Sequence, residues 1–119
     1  LGNGPYPEIT QGFVVKQVDL ETTLRDRLAR LGLNARESQD FLDFWLEKMP
    51  TTSFTRLTWL GTRQMDALAP LTIIPKPDSV IRVFLDFEGL EEPITIPPQK
   101  LSAIPRNGFT VIEWGGLLR

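Results

Sequence analysis

Val80-Ile81-Arg82-Val83-Phe84-Leu85-Asp86-Phe87 is the stretch that decides how this chain folds. Side chains of an extended backbone alternate between faces, so Ile81, Val83, Leu85 and Phe87 share one side while Arg82, Phe84 and Asp86 share the other. An apolar face opposite a mixed one predicts a strand, and a central one. Pro75-Lys76-Pro77-Asp78-Ser79 makes a rigid turn into it, because proline fixes its own φ and biases the preceding residue away from helix. Beyond it, Glu88-Gly89-Leu90-Glu91-Glu92-Pro93 predicts a hairpin-like reversal. Ile94-Thr95-Ile96 is expected to return as a partner strand until Pro97-Pro98 ends it.

Upstream the pattern is helical. Leu20, Leu24, Leu28 and Leu31 form one apolar stripe, with Asp19 placed as N-cap and Gly32 where a left-handed C-terminal residue is needed. Asn34 with Glu37 makes a capping-box variant for a second helix carrying Phe41, Phe44, Trp45 and Met49 until Pro50 stops it. The short link makes the two a tight helix pair. Phe54 to Leu60 predicts a strand whose imperfect alternation implies cover on both faces. Thr62 is positioned to cap a short third helix with Met65 and Leu68, closed by Pro70. Phe109 to Trp114 is the last expected strand, after which Gly115-Gly116 lets the chain turn or leave. Phe13 to Val15 is a possible first strand.

The expected fold is therefore α+β: a mostly antiparallel sheet of four or five strands with the N-terminal helix pair packed on one face. Residues 1–11, rich in glycine and proline, are read as a flexible or docking arm that Tyr6 would anchor, and residues 12–119 as a single domain. At 119 residues the chain can remove roughly two-thirds of its unfolded surface from water, enough for one core.

Composition excludes several classes of function. A net charge of −2 argues against a sequence-independent grip on nucleic acid. The helix pair resembles a DNA-binding helix-turn-helix in outline, but its second helix carries Glu37, Asp40, Asp43 and Glu47, which would repel phosphates. With neither cysteine nor histidine, the chain lacks thiolate nucleophiles, the usual general base near neutral pH and the commonest metal ligand. No apolar run approaches the roughly 20 residues of a spanning helix, so no membrane insertion by this segment is expected. Beginning at Leu1 without a basic then apolar leader, the chain reads as a processed or excised piece of something longer.

Several blocks are similar to one family: Gly12-Phe13-Val14-Val15; Leu31-Gly32-Leu33-Asn34-Ala35-Arg36-Glu37 with Phe41 and Phe44-Trp45-Leu46; Pro75 to Phe84; and Gly108 to Gly116. Together they resemble uncharacterised bacterial proteins across nearly the whole chain. That resemblance implies an exported, extracytoplasmic or cell-envelope setting and brings with it no assigned activity and no functional residues.

Candidate chemistry is sparse. Asp86, Glu88, Glu91 and Glu92 gather carboxylates near one reversal, where oxygen ligands could hold calcium; the simpler reading is a solvated acidic turn, since no EF-hand spacing is present. Carboxylate pairs also serve glycoside hydrolysis, but a single hairpin offers no cleft between them. Ser102 near Lys100, and Ser79 near Lys76 and Asp78, lack the serine-x-x-lysine order of a nucleophile. No catalytic residue is assigned. Arg82 and Asp86 are expected to form an in-sheet ion pair. Tyr6, Arg82, Phe84 and Trp114 are the candidate partner-binding residues, Phe84 because a helix-facing core does not account for it. The leading expectation is a non-catalytic protein-binding or structural module of a larger exported bacterial protein or assembly, met at a strand edge or through its apolar arms. The alternative is a carboxylate-using ligand- or calcium-binding domain or enzyme.

Overall fold

The computed structural model describes residues 8–119, so Tyr6 and most of the expected arm lie outside the described residues. The elements are β1 (Phe13–Lys16), α1 (Leu20–Arg30), α2 (Ala35–Trp45), β2 (Phe54–Leu60), α3 (Thr62–Leu68), β3 (Ser79–Leu90) and β4 (Thr110–Leu118). The strands form one four-stranded sheet in the order β1-β2-β3-β4.

Local chemistry explains the helices. Leu20, Leu24 and Leu28 bury one face of α1, and Gly32, at φ +103°, closes it. There the Leu33 N–H returns to Leu28 O, a bond the left-handed residue makes possible. Asn34 and Glu37 exchange both bonds of the capping box at the start of α2. Asp19 stands at the N-cap position of α1 without a side-chain cap bond, after a 3-10 turn over Gln17–Asp19. Gly61, not Thr62, occupies the N-cap position of α3, and its N–H donates to Gln64 Oε1 at 2.9 Å.

The sheet is mixed rather than mostly antiparallel. β1, β2 and β3 pair antiparallel, whereas β4 lies parallel to β3. The chain does turn back after Leu90, bending at Glu91–Glu92, but no hairpin partner strand forms there. β3 continues through Leu90, and residues 91–109 form no strand, Ile94 to Ile96 included. Three prolines crowd that expected strand, and proline has no N–H to give a ladder. The segment instead crosses to the far end of the sheet. On the way Gly12 N–H donates to Pro97 O (2.9 Å). Arg106 then clamps the α1–α2 turn through Gly32 O (3.0 Å) and both carboxylate oxygens of Glu37 (3.1 and 2.6 Å). β4 also runs past Trp114 to Leu118, so Gly115-Gly116 lies within a strand.

The sheet's two faces bury different chemistry. Leu24, Leu28, Phe41 and Leu42 of α1 and α2 belong to one buried cluster with Leu57, Trp59, Ile81, Val83, Leu85 and Phe87 of the sheet. Phe41 touches both Trp59 and Trp114, with ring centroids 6.0 and 5.4 Å apart. Arg56, Thr58, Arg82 and Asp86 project from the other face and are also buried. This agrees with the broken alternation of β2.

Ladder positions beyond the ends of short strands are filled by side chains. Register places Thr62 opposite Arg82 where β2 stops, and Thr62 Oγ1 accepts the Arg82 N–H at 2.9 Å. Past the end of β1, the Gln99 amide accepts from Trp59 N–H (2.7 Å) and donates to Trp59 O (2.8 Å), as a neighbouring strand would.

Candidate functional site

The candidate residues on β3 are engaged in two separate buried networks. Arg82 does not pair with Asp86. Its guanidinium lies bidentate on Glu113 of β4 (3.1 and 3.3 Å) and reaches Asp66 (3.2 Å) and the Ala69 carbonyl at the end of α3. Asp86, 2% exposed, accepts Arg56 Nη2 at 2.9 Å and Arg119 Nε at 3.0 and 2.8 Å. Phe84 stands between the two charges on the same face, which separates them by two strand positions in each direction. Arg56, Arg82 and Asp86 each meet an opposite charge, as a buried charge requires.

These networks account for the carboxylate candidates as well. Asp86 is held by two guanidiniums, and half-exposed Glu88 lies 3.8 Å from Arg56. β3 continues through Leu90, so Glu91 and Glu92 sit exposed in the bend beyond its end, away from buried Asp86, and the four carboxylates do not gather. Among the described residues no three histidine, cysteine or acidic side chains converge as a metal group would require. Ser79 Oγ exchanges bonds with the Asn107 backbone (3.0 and 2.8 Å), and Asp78 accepts the Phe109 N–H (2.7 Å); both shape the entry to β4. Lys100 and Ser102 line a cleft of about 380 Å³ between the crossover and α3 with Arg63 and Gln64, and no acid lines it.

The geometry converges on β4. Its side chains are half-buried along nearly the whole strand, and its inner edge is paired continuously with β3 from Thr110 to Leu118. Arg119 N–H donates to Phe87 O (2.9 Å), and Phe109 O accepts from Ser79 N–H (3.1 Å). In a parallel ladder alternate residues bond the same neighbour, so the odd-numbered residues face β3. Thr110, Ile112, Trp114, Gly116 and Leu118 therefore direct their N–H and C=O groups outward. Among the described residues no strand pairs with that edge.

Aromatic packing sets the walls beside it. On the helix face, Trp114 lies 5.7 Å from Phe44, which is 45% exposed. Phe109, just before the strand, and Leu118, its last residue, are 51% and 52% exposed. On the other face Phe84 covers Gly115: a Cβ there would come within 2.7 Å of the ring. A Cβ on Gly116 would meet Trp45 at 2.9 Å. The glycines are places for large rings, which explains Phe84 without a ligand.

Arg82, Phe84 and Trp114 thus all touch or support β4, while Tyr6 lies outside the described residues. Sequence reasoning missed Arg56, Glu113 and Arg119. One signal was available for Arg56, a charge inside an otherwise apolar strand, which demands a buried partner.

No family model matches the chain, and no curated protein or solved structure matches it significantly. No helix is long and apolar enough to cross a membrane among the described residues.

Proposed function

We propose that this chain is a non-catalytic protein-binding module that takes an extended segment of protein along the outer edge of β4. The observation that carries the reading is the edge itself. It is nine residues long, without a bulge, proline or lysine, the devices by which soluble proteins ordinarily protect such edges. Its one charge, Glu113, is held by Arg82. Added strands gain affinity from main-chain bonds and specificity from alternate side chains. Here those alternate contacts would fall on the Phe44–Trp114 side. Membership of a larger exported bacterial assembly rests on the resemblance of the sequence blocks alone.

Peptides selected from a displayed random library test the reading, with binding mapped by amide hydrogen exchange. Bound peptides are expected to protect Thr110, Ile112, Trp114, Gly116 and Leu118 while leaving Val111, Glu113, Gly115 and Leu117 unchanged. Protection confined to another surface, or failure to select any binder, overturns it.

A further inference from the structure

We propose that the strand added to β4 is β4 of a second copy, running antiparallel about a two-fold axis at Trp114. The inference rests on the reading of β4 as a binding edge and goes further by naming the occupant. Its basis is the parity of the outward groups. In an antiparallel ladder, residues that exchange both bonds face each other, so each outward-directed residue must be opposed to another outward-directed one, while the residues between them form the non-hydrogen-bonded pairs. Centring on Trp114 sets Thr110 opposite Leu118, Ile112 opposite Gly116 and Trp114 opposite itself. All belong to the outward set, and the whole strand Thr110–Leu118 is paired.

The neighbouring symmetric registers are poorer. Centring on Glu113 opposes two like charges, which is destabilising in a directly facing pair. Centring on Gly115 sets Thr110 opposite no residue of the strand Thr110–Leu118, so less of the strand is paired. In the Trp114-centred register Glu113 faces Gly115 of the other copy, so its carboxylate stays with Arg82 and meets no second charge. A two-fold axis normal to the sheet also keeps both helix layers on one side. The exposed Phe44 rings, each 5.7 Å from a Trp114, then flank the axis and extend the contact beyond the backbone.

The opposite edge of the sheet favours a closed pair over a growing stack. β1 is only four residues long, and the Trp59 groups beyond its end are already taken by Gln99. Isologous pairing through β4 alone therefore closes at two copies.

Sedimentation of the protein from low to several hundred micromolar tests the state. Cysteine pairing tests the register, and the natural chain has no cysteine to interfere. Val111 and Leu117 face each other in this register at a non-hydrogen-bonded position, where Cα atoms about 4.5 Å apart suit a disulfide. The expected result is reversible doubling of the 13.5 kDa mass, with oxidation of a mixture of V111C and L117C giving a covalent pair that neither variant forms alone. T110K/L118K, which opposes like charges, should raise the dissociation constant at least tenfold, and T110K/L118E should restore it. Three results overturn the inference. A chain that stays monomeric while library peptides still protect the outward amides removes the second copy and leaves the binding edge standing. A chain that is monomeric and takes no peptide removes both. A dimer that neither cross-links in the mixture nor responds to T110K/L118K uses another surface.

Discussion

Replacing Asp86 with alanine removes the acid that joins the buried face of the sheet to the end of β4. In the native protein Asp86 meets Arg56 at 2.9 Å and Arg119 at 2.8 Å, with the Arg56 side chain 3% exposed. Arg119 is about one-third exposed and can turn to water. Arg56 cannot: it keeps only Thr58 Oγ1 and the backbone oxygen of residue 86 at hydrogen-bond distance. Breaking a buried pair by deleting one partner costs about 3–5 kcal/mol, because the remaining charge loses its hydrogen-bonded counter-ion, and half-exposed Glu88, 3.8 Å away, offsets it only in part. For a chain of this length the unfolding entropy is about 0.25 kcal/mol/K, so the melting temperature should fall by about 12–20 K. Glu88→Ala, which removes a half-exposed carboxylate 3.8 Å from the same guanidinium, should cost no more than about 1 kcal/mol. Arg56→Met combined with Asp86→Leu should recover much of the loss, since apolar replacement of a whole buried pair is often neutral or better. Thermal and urea unfolding of these variants supply the numbers. If Asp86→Ala costs no more than Glu88→Ala, the buried network does not hold the sheet as described.

Three further perturbations address the elements that place β4. Arg106, through its hydrogen bonds, holds the Glu37 carboxyl below its ordinary value of 4.5, with the Asn34 N–H helping. The unfolded chain then takes up that proton first as pH falls. Glu37's contribution should be complete above about pH 4.5 and lost as pH drops through the lower folded value, and Arg106→Ala should flatten that part of the stability–pH curve. Gly116→Ala forces a Cβ against Trp45 and Leu85 O and should destabilise by about 1–3 kcal/mol in urea titrations, with a shift in Trp emission. Gln99→Ala leaves the Trp59 N–H and C=O without their amide partner; a loss of about 1–3 kcal/mol and faster Trp59 amide exchange are expected.

Much of the helical layer was legible because its determinants are local. The Leu20, Leu24 and Leu28 stripe, the Gly32 closure and the Asn34–Glu37 box each lie within a turn or two of the chain, and each appears where the residues place it. The inner face of β3 was equally readable, since alternation assigns a side chain to a face from sequence alone. Alternation says nothing about which strand lies alongside, and there the expectations parted from the structure. Ile94 to Ile96 reads as a hairpin partner, yet the position beside β3 is taken by β4 after a crossover whose anchors, Gln99 and Arg106, are distant from their partners in sequence. The ion pairs followed the same pattern. Arg82 and Asp86 share a face, but register with β4 and β2 brings Glu113 to one and Arg56 to the other. Gly115-Gly116 suggests a turn by its backbone freedom, whereas here packing by Phe84 and Trp45 decides its role. Of the candidate site, Phe84 and Trp114 stood out in the sequence. The outward peptide groups of β4 could not, because they depend on pairing.

Residue-resolved amide hydrogen exchange along β4 tests the account most directly. In dilute protein without a partner, Val111, Glu113, Gly115, Leu117 and Arg119 should exchange slowly through their bonds to β3, while Thr110, Ile112, Trp114, Gly116 and Leu118 exchange at rates close to those of open chain. Raising the concentration should slow the second set and leave the first unchanged. Uniform protection along β4 in dilute solution would contradict the open edge on which the proposed function depends.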